Sequence, residues 1–72
     1  MREITIHTSF IALNELLKLA GVVGSGAEAK GLIRSGEVWV NGEPCTVVRK
    51  KITADDRVDV PDQGSFTVVS EV

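Results

Sequence analysis

Polar and apolar residues alternate over Glu3-Ile4-Thr5-Ile6-His7, which predicts a short strand with Ile4 and Ile6 facing a core. From Phe10 to Ala20 the period changes. Phe10, Leu13, Leu16, Leu17 and Ala20 recur at helical spacing, with Thr8 or Ser9 available as a cap, Lys18 near the end and Gly21 as a left-handed stop. After the connector Val22-Val23-Gly24, a second helix begins at Ser25. Its hydroxyl can accept from the Glu28 amide while the Glu28 carboxylate reaches back to Ser25. Ala29, Leu32 and Ile33 form its buried stripe, and Gly36 ends it. Gly31, inside this helix, costs about 1 kcal/mol against alanine and suggests a close contact there.

Alternation returns at Glu37-Val38-Trp39-Val40, with Val38 and Val40 inward and Trp39 outward. Asn41-Gly42 is the preferred pair for a two-residue type I′ turn. A return strand from Glu43 to Val48 then sets residue 40 against 43, 39 against 44 and 38 against 45, with Cys45 and Val47 on the core side. Ala54-Asp55-Asp56 reads as a turn, Arg57 to Val60 as a strand, Pro61-Asp62-Gln63-Gly64 as a further turn and Ser65 to Val69 as the last strand. The expected architecture is α+β: two helices packed on a small, mostly antiparallel sheet of about four to five short strands.

A chain of 72 residues is expected to form one domain over residues 1–72. At that length only about 60% of the unfolded surface is buried, which leaves little room for an enclosed active site. The single cysteine, Cys45, forms no internal disulfide, and MREITIH lacks the apolar run of a signal peptide. No stretch approaches the roughly 20 apolar residues of a membrane span, so a reducing, cytoplasmic setting without membrane contact is expected.

The net charge of −2 conceals an uneven distribution. Residues 18–51 carry Lys18, Lys30, Arg34, Arg49, Lys50 and Lys51 against Glu28, Glu37 and Glu43, a balance of +3. Residues 52–72 carry Arg57 against Asp55, Asp56, Asp59, Asp62 and Glu71, a balance of −4. The stretch Ser25–Gly42 therefore lies in the only net-basic part of the chain.

Around that stretch the residues resemble a known family. Ser25, Ala29, Leu32, Ile33 and Gly36-x-Val38-x-Val40-Asn41-Gly42 fall where the S4-like domain, the alpha-L RNA-binding motif, places its signature. Asp56 to Val60 is similar to its G-D-x-[IV]-x-V closing strand, with Asp55 in place of glycine. The resemblance runs from about Phe10 to Val60. It is nearest to small stand-alone bacterial YaaA/YbcJ-like proteins, through L-L-K-L at Leu16–Leu19, S-G-x-x-A-K at Ser25–Lys30 and G-S-F-x-V-V at Gly64–Val69. It implies binding of structured RNA, ribosomal RNA or a ribosome assembly intermediate above all, through the second helix and adjoining hairpin. It implies neither a cofactor nor a small-molecule substrate. Two positions depart from the pattern: Gly26 and Ala12 stand where many relatives carry arginine.

Lys30 and Arg34 are the first candidates for RNA contact, because a spacing of four sets two cations side by side on a helix. The alternative is a solvated face, with Arg34 answering the helix dipole. Arg49, Lys50 and Lys51 either extend the patch or guard a sheet edge. Lys18 is a lesser candidate, because its place at the end of the first helix explains it fully. Trp39 could stack on an unpaired base, pack on Pro44 or meet a protein partner. Ser25 and Gly26 could present backbone N–H groups to a phosphate, although Glu28 opposes an anion there. His7 has no nucleophile or carboxylate at catalytic spacing, and the aspartates do not match a calcium loop. A non-enzymatic RNA-binding protein is thus expected. The alternative is a protein-interaction module that keeps the fold without most of the RNA affinity.

Overall fold

The computed structural model describes residues 2–72. Its elements are β1 (Arg2–Ile6), β2 (Ile11–Ala12), α1 (Leu13–Leu19), α2 (Gly26–Arg34), β3 (Trp39–Val40), β4 (Glu43–Pro44), β5 (Lys51–Ile52), β6 (Arg57–Val60) and β7 (Gly64–Ser70). Five strands form one sheet in the order β1-β7-β6-β3-β4, and β2 pairs with β5 separately. All pairings are antiparallel except β1 with β7. This is the α+β architecture of two helices and a mostly antiparallel sheet expected from the pattern.

The core joins both layers. Ile4, Ile6, Val38, Val40, Val58, Val60, Phe66 and Val68 from the sheet side meet Leu13, Leu16, Leu17, Ala20 and Ile33 from the helices. Arg2 fastens the first strand to the first helix: its guanidinium donates to the Ala20 carbonyl at 2.9 Å and lies 5.3 Å from the centre of the Phe66 ring. Gly21 and Gly36 take positive φ after their helices, as a left-handed stop requires.

The hairpin follows the expected register, Trp39 against Pro44 and Val40 against Glu43, with the Cys45 amide donating to the Val38 carbonyl at 2.8 Å. Asn41 and Gly42 both have positive φ, the requirement of a type I′ turn. The turn is also bonded sideways. Asn41 Nδ2 donates to Asp56 Oδ1 at 2.8 Å, and Asn41 Oδ1 accepts from the Arg57 amide at 2.9 Å. Asp56 also accepts from the Thr53 amide at 2.9 Å. That backbone bond, and then the Asn41 amide, hold the Asp56 carboxyl below its ordinary pKa.

Four expectations change. The first helix begins at Leu13, not Phe10, and is capped by neither Thr8 nor Ser9. Ile11 and Ala12 stay extended because they pair with Ile52 and Lys51, and this leaves Phe10 exposed beneath Lys51. The return strand stops at Pro44, and Val47 is 59% exposed rather than in the core. There the chain leaves the sheet for the start of α1, where the Val48 and Lys50 carbonyls accept from the Asn14 and Leu13 amides at 3.1 and 2.8 Å. These loop carbonyls take up helix-end donors that a side-chain cap would otherwise satisfy. At the second helix, Ser25 Oγ accepts from the Glu28 amide as expected, but the Glu28 carboxylate returns to the Gly24 amide, not to Ser25. Finally, a Cβ on Gly31 would meet nothing within 4 Å, so no close contact requires glycine there.

Candidate nucleic-acid interface

The loop that leaves the hairpin positions the candidate site. Its carbonyls at Val48 and Lys50 are bonded to the start of α1, and α1 packs against α2. Arg49, held between those anchors, is thereby brought beside α2. A groove of about 440 Å³ is lined by Asn14, Gly26, Lys30, Arg34, Val48 and Arg49. Three of its six lining residues are cationic and none is acidic. All three cations are exposed, and none forms an ion pair among the described residues. Lys30 and Arg34 are one helical turn apart, with Cβ atoms about 5–6 Å apart by helix geometry. Chemically the groove offers donors to an anion: lysine a point charge, and arginine a fork of N–H groups.

The remaining candidates separate. Lys18 pairs with Glu15 at 3.0 Å on α1. Lys50 lines a different cavity, with Glu43, Pro44 and Thr46, beside the hairpin. The Lys51 ammonium lies 4.5 Å from the centre of the Phe10 ring. Ser25 is occupied as a cap, and the Glu28 carboxylate occupies the Gly24 amide, so the start of α2 already carries its own anion. Gly26 does line the groove, and a Cβ there would have open space. Trp39, 39% exposed, lines a separate cleft with Asp59 and Asp62 and shares no wall with the three cations.

Asn14 and Val48 complete the groove and were not among the sequence candidates. Asn14 Oδ1 is buried without a hydrogen-bond partner. The hint lay in its position beside the departure at Ala12, but no local pattern marks Asn14 as groove-facing. Among the described residues no group of three or more His, Cys, Asp or Glu could hold a metal ion, and no helix is long and apolar enough to cross a membrane.

This arrangement of a capped helix, a glycine stop, an Asn-Gly hairpin and a closing Asp-led strand agrees with a comparison of the sequence with known families. The S4 domain matches residues 4–69. The chain belongs to the S4 domain family. It is also similar to a Bacillus subtilis (strain 168) protein named "Probable ribosome maturation protein RlbA", 42% identical over 67 residues. That match takes in 93% of this chain and 94% of the relative, so the two chains correspond almost from end to end.

Proposed function

We propose that this S4 domain is a non-enzymatic, cytoplasmic RNA-binding protein that acts on the ribosome or on its assembly intermediates. It grips structured RNA by the phosphate backbone. The observation that carries this reading is the groove in which Lys30, Arg34 and Arg49 converge with no carboxylate among its walls. Three cations brought together on one groove repel one another, and an anion between them offsets that repulsion. Family membership supports the same reading, and the relative's name supports the ribosome as the place of action. A shallow cationic groove suits A-form RNA, whose deep major groove excludes side chains and whose phosphates and 2′-hydroxyls remain accessible. No catalytic step belongs to this reading: the groove binds and positions.

The test is binding of ribosomal RNA across a salt series, for the wild-type protein and for Lys30→Glu with Arg34→Glu. Wild type should bind at low salt and release as salt rises. The double variant should lose roughly tenfold in affinity for each reversed charge, while keeping its melting temperature within a few degrees. Equal binding by both proteins, or no binding by wild type at low salt, would overturn the reading.

A further inference from the structure

The outward face of the sheet carries a cleft of about 390 Å³, lined by Trp39, Asp59, Val60, Pro61, Asp62, Gly64 and Ser65. Trp39, Asp59 and Ser65 stand in one row across β3, β6 and β7, opposite the buried row of Val40, Val58 and Phe66. The indole and Pro61 give the cleft a mostly apolar wall, and the two aspartates supply its acidic groups. Asp59 Oδ1 accepts from Ser65 Oγ and from Arg57 Nε, and these bonds, Ser65 first, hold the carboxyl below its ordinary pKa. Asp59 Oδ2 and the Asp62 carboxylate have no partner among the described residues.

Arg57 is bonded to Asp59 at the side of this cleft, and among the described residues neither lysine nor arginine lines it. An adjoining groove, sharing Val60, Pro61 and Asp62, adds Glu28 and Glu37 and again no cation. A phosphate entering here would meet like charge. An arginine side chain meets the reverse: an indole face for its planar guanidinium and carboxylate oxygens for its N–H donors.

We propose that this cleft docks an arginine-bearing segment of a partner protein, whose guanidinium stacks on Trp39 and donates to Asp59 and Asp62. The site is independent of the Lys30 groove. The S4 domain then has two faces of opposite charge, one for nucleic acid and one for a cationic protein segment.

Trp39 is the only tryptophan and there is no tyrosine, so intrinsic fluorescence reports this cleft directly. The full chain is titrated at low salt with a glycine-flanked peptide carrying two arginines, and with the same peptide in which citrulline replaces arginine. The arginine peptide should change Trp39 emission saturably, and the citrulline peptide should bind at least about tenfold more weakly. Asp62→Asn, which keeps a residue tolerant of the positive φ at this position, should weaken the arginine peptide roughly threefold without lowering the melting temperature. A labelled RNA hairpin should leave Trp39 emission unchanged. Three results would overturn the proposal: no saturable response to the arginine peptide, equal binding of the citrulline peptide, or a larger emission change with RNA than with peptide.

Discussion

Asn41 and Lys30 lie in the same signature stretch, but the structure uses them in opposite ways. Asn41 has its amide committed on both sides, donating to Asp56 and accepting from the Arg57 backbone, while its own backbone amide donates to the Arg57 carbonyl at 2.8 Å. It ties the hairpin to the closing strand. Lys30, with Arg34 and Arg49, is exposed and makes no ion pair among the described residues. Side chains that satisfy one another build the frame, and side chains left unsatisfied on one groove are free for a ligand. The most recognisable residues of the motif are therefore scaffold, and the proposed binding residues are less distinctive in sequence.

This contrast can be broken or sharpened by experiment. The largest effect on stability is expected from Asn41→Ala, which removes two side-chain hydrogen bonds and places alanine at a positive φ. It should cost about 2 kcal/mol by denaturant unfolding while RNA affinity per folded molecule is unchanged. An equal loss of affinity in the folded fraction would mean that the hairpin lock also shapes the groove.

A smaller effect is expected from acid. The Asp56 and Asp59 carboxyls are held below their ordinary pKa in the folded protein, so the folded state binds fewer protons than the unfolded chain. Their stabilisation is fully present above the unfolded value, near pH 4, and is lost as pH falls through the depressed folded values. Melting temperatures should fall across that window, and less steeply in Asn41→Ala, because one of the bonds that depresses Asp56 is gone.

The smallest effect is expected on the binding side. Gly26 lines the groove with open space before it, so Gly26→Arg should tighten RNA binding by roughly threefold at low salt. Unchanged or weaker binding would show that the groove is not the path of the phosphates.

What was legible in the sequence was local. The Ser25 cap, the Gly21 and Gly36 stops, the Asn41-Gly42 turn and the 39–44 register each depend on residues within a few positions, and each is present. The two departures that move whole segments involve distant partners. Phe10 left the first helix because Ile11 pairs with Ile52, and Val47 left the sheet because Val48 and Lys50 serve the start of α1. The same long-range bonds separated the basic run, sending Arg49 to the groove, Lys50 to the hairpin cavity and Lys51 over Phe10. Adjacent cations have no common destination until the chain around them is anchored.

The most direct test is the salt slope of RNA binding in two triple variants with equal loss of charge. Replacing Lys30, Arg34 and Arg49 with alanine should reduce the slope of log affinity against log salt by about 2 to 3, the yield of three lost phosphate contacts. Replacing Lys18, Lys50 and Lys51 with alanine should leave that slope nearly unchanged. Equal reductions in both variants would contradict the groove as the RNA site and leave only a diffuse attraction of positive charge.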